Sequence, residues 1–222
     1  MIDEYLRLRT ELEPRGVNIL AVSKTHKPDK ILELYNMGQR DFGENRVQEM
    51  VEKRAVLPHD IRWHQIGHLQ KNKVKYIAPW VALIHSVDDL DLLTVINKEG
   101  EKCNRVISIL LQIKIAVEDT KYGLLPIEAL NIFQAKKPSD FKYIKFKGVM
   151  GMASFTDDAS QLQGEYKTLT EVFQQLKSNY FANDDDFRII SGGMSGDYKI
   201  AIESGCNMVR LGSIIFGQRN RL

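Results

Sequence analysis

The sequence predicts an α/β protein in which eight strands alternate with helices through one domain, residues 1–222. Three observations predict it. Short apolar runs rich in Val and Ile recur along the whole chain, and such runs form buried strands. Between them lie longer segments whose apolar residues repeat at helical spacing. No Pro/Gly/Ser-rich linker and no low-complexity tract interrupts the alternation. Strand–helix–strand alternation implies parallel pairing, because parallel neighbours need a crossover. Periodicity alone leaves two architectures open, a closed (β/α)8 barrel and an open doubly wound sheet.

The elements follow in order. Residues 2–13 read as a helix lying ahead of the first strand. Strands are expected at 17–23, 39–43, 62–66, 82–86, 105–113, 146–151, 187–191 and 207–211. Helices are expected between them at 28–37, 45–56, 70–77, 88–99, 126–136, 158–179 and 197–204. Pro28 suits a first helical turn, and Gly38, Gly100 and Gly205 suit helix stops. Asp88 and Asp197 suit N-caps. The run Asn183-Asp184-Asp185-Asp186 reads as a solvated loop before the seventh strand.

Composition narrows the function classes. A hydrophobic content of 43% supports a sizeable core. Lys and Arg total 31 against 29 Asp and Glu, a net charge of +2. That balance, with basic residues spread along the chain, argues against nucleic acid or a membrane surface as main partner. No apolar run approaches the roughly 18 residues of a membrane span. Met1 to Pro14 is charged and lacks a signal-peptide core, so a cytoplasmic protein is expected. Cys103 and Cys206 are isolated and read as buried thiols of a reducing compartment. Neither they nor His26, His68 and His85 show metal-ligand spacing, so no metal site is expected.

Two stretches carry candidate chemistry. Lys24 follows the run Val17-Asn18-Ile19-Leu20-Ala21-Val22, where the first strand gives way to a loop. The carboxyl ends of parallel strands are where such sheets bind ligands. A partly desolvated lysine there can act as an amine nucleophile toward an aldehyde; taken alone, the segment fits a solvated lysine far better. Near the other end, Ser191-Gly192-Gly193-Met194-Ser195-Gly196 and Gly212-Ser213 each close a strand. Gly/Ser loops present N–H groups and hydroxyls of the kind phosphate needs, although each alone also fits a tight turn.

Six segments resemble one family. They are Ala21-Val22-Ser23-Lys24-Thr25, Phe42 to Glu49 (FGENRVQE), Trp63 to Lys73 (WHQIGHLQKNK), Glu118 to Gly123 (EDTKYG), Gly193 to Asp197 (GMSGD) and Val209 to Gly217 (VRLGSIIFG). In this order they resemble the pyridoxal phosphate homeostasis protein family, relatives of the alanine racemase barrel. The resemblance covers nearly the whole chain and selects the closed (β/α)8 TIM barrel of the alanine racemase type.

The resemblance implies pyridoxal 5'-phosphate (PLP) as cofactor, held by Lys24 as a Schiff base. It implies Ser195, Gly212 and Ser213 as phosphate donors, and Arg210 facing the pyridine nitrogen. A guanidinium there disfavours ring protonation and weakens the ring as an electron sink. Asn45 and His64 are further candidates, placed at strand ends facing the mouth; His64 fits a satisfied core histidine equally well. Lys121 and Tyr122 are expected at the rim. In two places the chain departs from its relatives. Many have Asn at the position of Lys114 and a bulky residue at that of Gly192, so a looser phosphate loop is expected here.

The implied function is reversible PLP binding for buffering or delivery, without established catalysis and with no catalytic residue assigned. The implied partners are PLP and PLP-dependent apo-enzymes, and a monomer is expected. The alternative is a PLP-dependent, racemase-like enzyme. Alanine racemases add a β-rich domain that supplies a tyrosine base, whereas this chain stops at Leu222, so the binding reading is preferred. Two-base racemisation needs an acid/base on each face of the α-carbon, and no partner to Lys24 is evident. A third reading, a sugar-phosphate isomerase-like barrel, predicts a carboxylate base and no chromophore.

Overall fold

A computed structural model describes residues 1–118 and 122–217. Helix α1 (Ile2–Leu12) precedes β1 (Asn18–Val22), α2 (Pro28–Asn36) and β2 (Asp41–Glu44). Then come α3 (Val47–Val56), β3 (Arg62–Gln65), α4 (Val74–Ile77), β4 (Leu83–Val87) and α5 (Leu90–Lys102). The second half holds β5 (Ile107–Ile113), α6 (Pro126–Ala135), β6 (Ile144–Gly151) and α7 (Ala159–Tyr180). It ends with β7 (Ile189–Ser191), α8 (Tyr198–Glu203), β8 (Met208–Leu211) and the one-turn α9 (Ser213–Phe216). The strands close in the order β1 to β8, every pair parallel, with β8 hydrogen-bonded back to β1. This is the (β/α)8 barrel of the sequence expectation, with its extra helix at the start.

Period-two alternation sorts the side chains. Val209 and Leu211 of β8 join the large apolar layer between strands and helices, while Met208 turns inward to meet Leu83, Leu110 and Met150. That inner cluster is small. Leu20, in register with Arg210, also faces inward, but the interior holds a concentration of polar groups: His64, His85, Ser191 and Arg210 are all buried. Buried polar groups must be hydrogen-bonded to be tolerated, and they add less stability than apolar packing. Their concentration here points to a site rather than a core.

Most boundaries fall within two residues of expectation. Five local readings are corrected. The N-cap of α5 is Asp89, which accepts from the Leu92 N–H at 2.5 Å, so Asp88 is one residue too early. Gly100 does not stop α5 but lies within it, because a Cβ there would meet the Arg105 carbonyl oxygen at 2.8 Å and Tyr143 Cβ at 2.9 Å. Asp197 holds the N-cap position of α8 as expected but makes no side-chain cap; its carboxylate accepts from Tyr166 Oη and from the Met194 N–H, each at 2.6 Å. The helix expected at 70–77 is a 3-10 turn, Lys71–Lys73, followed by α4. Cys206 is buried as expected and Cys103 only half-buried; both are free thiols. Among the described residues no helix is long and apolar enough to cross a membrane, and no metal-binding cluster occurs.

Candidate functional site

A cavity of about 610 Å³ opens at the carboxyl ends of the strands. It falls within the ordinary range of small-ligand sites, roughly 300–1,000 Å³. Lys24, Asn45, Ser195, Arg210, Gly212 and Ser213 all line it. They come from β8 itself and from the loops after β1, β2, β7 and β8, so parallel pairing gathers residues that span most of the chain.

Lys24 sits two residues beyond β1 in a tight turn, half-buried, next to Thr25 at φ 69°. Asn45 follows β2 directly, and its carbonyl accepts from Gln65 Nε2 at 3.0 Å. Opposite, the loop after β7 and the start of α9 meet through Ser195. Its Oγ accepts from the Gly212 N–H at 3.3 Å and the Ile214 N–H at 3.2 Å, leaving the hydroxyl proton to donate. Gly192 is buried, and a Cβ there would meet Cys206 Sγ at 2.5 Å and Tyr166 Cε1 at 3.0 Å. Those two side chains occupy the space a bulkier residue would take. Lys114, just past β5, is half-buried and does not line the cavity.

Arg210 forms part of the floor and is 4% exposed. One terminal nitrogen donates to both the carbonyl and the hydroxyl of Ser191 at 2.9 Å; the other donates to the Gly151 carbonyl at 2.8 Å. No salt bridge to Arg210 occurs among the described residues. Burial lowers its pKa from the usual value, yet a guanidinium keeps its proton at any ordinary pH. A buried cation bonded to neutral oxygens faces the cavity.

His64 is the one sequence candidate that does not line the cavity. It lies within β3, below the floor, where its Nε2 is 3.1 Å from Asp41 Oδ1 and its Nδ1 is 3.0 Å from His85 Nε2. His85 Nδ1 is in turn 3.4 Å from Ser191 Oγ. Hydrogen directions follow from the two ends of this chain. Arg210 can only donate, so Ser191 accepts from it and passes its own proton toward His85. His85 then donates from Nε2 to His64, and His64 from Nε2 to Asp41. Burial first, then His64 and Arg210, hold His85 well below its usual pKa, consistent with a neutral ring. At the far end burial alone would raise the Asp41 carboxyl, but hydrogen bonds from Arg62 and His64 outweigh it and hold the pKa well below the usual range. Of the two readings open for His64, the satisfied core histidine is the one its contacts support.

The profile of the alanine racemase N-terminal domain matches residues 2–220. The pyridoxal phosphate homeostasis protein of Helicobacter pylori is 38% identical over 202 residues, 90% of this chain and 87% of that protein. The one from Aquifex aeolicus is 35% identical over 220 residues, 97% of this chain and 94% of that protein. This chain belongs to the alanine racemase N-terminal domain family and, within it, to the pyridoxal phosphate homeostasis proteins. The solved structure of PipY from Synechococcus elongatus with PLP bound superposes with a TM-score of 0.85 at 31% identity, covering 97% of this chain and 99% of that one. Alanine racemase from Bartonella henselae, 18% identical with a TM-score of 0.75, shares the barrel; this chain spans 57% of its length.

Tyr122 lines the cavity as expected and stacks on His68, ring centroids 4.4 Å apart; Lys121 lies outside the described residues. Sequence reasoning missed His26, which lines the cavity and stacks on Phe216 at 4.7 Å. It also missed Gln112, Ser154 and Asp197 on the walls. His85 had a usable signal: it stands two residues after Leu83 in an apolar strand, the inward phase.

Proposed function

We propose that this protein binds PLP in the mouth cavity, linked through Lys24, and holds it for buffering or delivery to apo-enzymes. The observation that carries the reading is the convergence of a half-buried amine, Lys24, a buried guanidinium, Arg210, and the Ser195–Gly212–Ser213 cradle on one cavity. When bound, the cofactor supplies an aldehyde that accepts an amine and a ring that can draw electrons. Lys24 presents the amine at the rim of β1. Ser195 and Ser213 offer hydroxyl donors to the phosphate, and the Gly212 backbone closes the cradle. Arg210, fixed by Ser191 and the Gly151 carbonyl, would offer a bound pyridine nitrogen a permanent donor rather than an acid. That would keep the nitrogen unprotonated and favour holding the cofactor over carbanion chemistry. Asn45 completes the wall beside Lys24.

The PLP-bound PipY structure and the names of the relatives support the same assignment. We place the protein in the cytoplasm as a monomer; two unpaired cysteines suit a reducing compartment. The test is the visible spectrum of the purified protein after incubation with PLP. A band from a lysine-linked chromophore, absent in Lys24→Ala, supports the reading, and identical spectra for the two proteins overturn it.

A further inference from the structure

Behind Lys24 lies a buried ionic cluster that does not line the cavity. Lys53, on α3, is 5% exposed. Its Nζ is 2.7 Å from Glu44 Oε1, 2.7 Å from Glu49 Oε1 and 2.8 Å from the Ser23 carbonyl oxygen. These are three acceptors, one for each N–H of an ammonium. Glu44, fully buried at the end of β2, also accepts from Ser23 Oγ at 2.5 Å. Glu49 Oε1 accepts from the Thr25 N–H at 2.6 Å. The cluster therefore grips the backbone on both sides of Lys24, at Ser23 and at Thr25.

Stability alone does not account for it. Buried ion pairs recover little more than their desolvation cost, and apolar residues of similar volume often serve as well. Here burial pushes the Glu44 carboxyl up to about 7, against the pull of Lys53 and Ser23, and Glu44 Oε2 has no partner among the described residues. The turn it grips is also strained, since Thr25 is β-branched and held at positive φ. Strain of that kind persists only where the surroundings impose it.

We propose that Lys53 and Glu49 are positioning residues that hold the Ser23–Thr25 turn so that the Lys24 amine meets the cofactor aldehyde. This rests on the reading of Lys24 as the PLP-linked lysine. The step they serve joins the Lys24 nitrogen to the aldehyde carbon as a C=N link, the carbonyl oxygen leaving as water with the two amine protons. Neither residue lines the cavity.

The experiment compares two ligands on wild type, Lys53→Met and Glu49→Ala. PLP can form the link; pyridoxine 5'-phosphate has the same ring and phosphate but no aldehyde. Affinities are measured by titration calorimetry, and the linked fraction by borohydride reduction and intact mass. PLP affinity and linked fraction should fall roughly tenfold or more in both variants, the loss expected for a hydrogen bond to a charged group, while pyridoxine 5'-phosphate binds within about twofold of wild type. Equal losses for both ligands, or no loss for either, overturn the proposal. Glu49 is partly exposed, so Glu49→Ala carries the test if Lys53→Met does not fold. A wild-type protein that borohydride does not reduce on Lys24 overturns the proposed function instead, which keeps the two failures distinct.

Discussion

His64 Nδ1 lies 3.0 Å from His85 Nε2, with both rings buried in the barrel interior. The pair joins a carboxylate at the amino end of the barrel, Asp41, to a guanidinium under the cavity, Arg210, through one consistent run of donors. An interior of this kind is sensitive to acid for a definite reason. His85 has a folded pKa below its unfolded value, so the stability it contributes is present above about 6.5 and lost as pH falls. Glu44 has the opposite sign. Its pKa rises from 4.5 to about 7 on folding, so its contribution is full below 4.5 and lost as pH rises through 7.

The two groups therefore oppose each other between pH 7 and 5, and a variant separates them. Denaturant unfolding of Glu44→Gln should show stability falling more steeply on acidification than wild type. The difference reaches at most about 1.4 kcal/mol per pH unit, the slope for one proton. Parallel curves would contradict the assignment of Glu44.

The phosphate cradle makes a prediction of its own. Ser195→Ala and Ser213→Ala should each weaken PLP binding by about 1–3 kcal/mol, the range for hydrogen bonds to charged groups. Ser195→Ala should be the more damaging, because Ser195 Oγ also receives the Gly212 and Ile214 N–H groups. Pyridoxal, without the phosphate, should bind far less tightly than PLP in calorimetric titration. Equal affinities would reduce the cradle to a pair of turns.

Arg210 bears on chemistry rather than affinity. The PLP-loaded protein, incubated with each common L-amino acid in deuterated water, should exchange α-protons well below about 1 s⁻¹, the low end of ordinary enzymatic turnover. Exchange at or above that rate, followed by proton NMR, would favour the racemase-like reading.

Anchoring of Arg210 can be probed directly. Ser191→Ala removes its one contact to a hydroxyl and the link to His85 while sparing the contacts to the Ser191 and Gly151 carbonyls. Thermal unfolding should show a loss of about 1–3 kcal/mol, the cost of leaving a buried polar partner unsatisfied. An unchanged midpoint would show that the chain does not bear on stability.

Much of this was legible in the sequence, for identifiable reasons. Strand–helix alternation and Lys24 at a strand end are local signals. So are the Gly/Ser loops, whose neighbours in sequence are their neighbours in space. The six family-like segments turned an ambiguous α/β pattern into a barrel. What stayed hidden depends on distant pairing. Lys53 meets Ser23 and Glu44 only because α3 folds over the ends of β1 and β2, and on its own it reads as another helix-surface lysine. The sequence suggests His64 at a strand end facing the mouth; pairing with β2 sets it within β3, in the interior below the floor. Asp88 and Gly100 were misjudged by one or a few residues, where the exact cap or close approach decides and composition does not.

The most direct measurement is borohydride reduction of the PLP-loaded protein followed by peptide mapping. The account predicts a reduced pyridoxyl-phosphate adduct on the peptide that carries Lys24, in near-stoichiometric amount, and none on that peptide in Lys24→Ala. An adduct confined to another lysine, or no adduct at all, would contradict it.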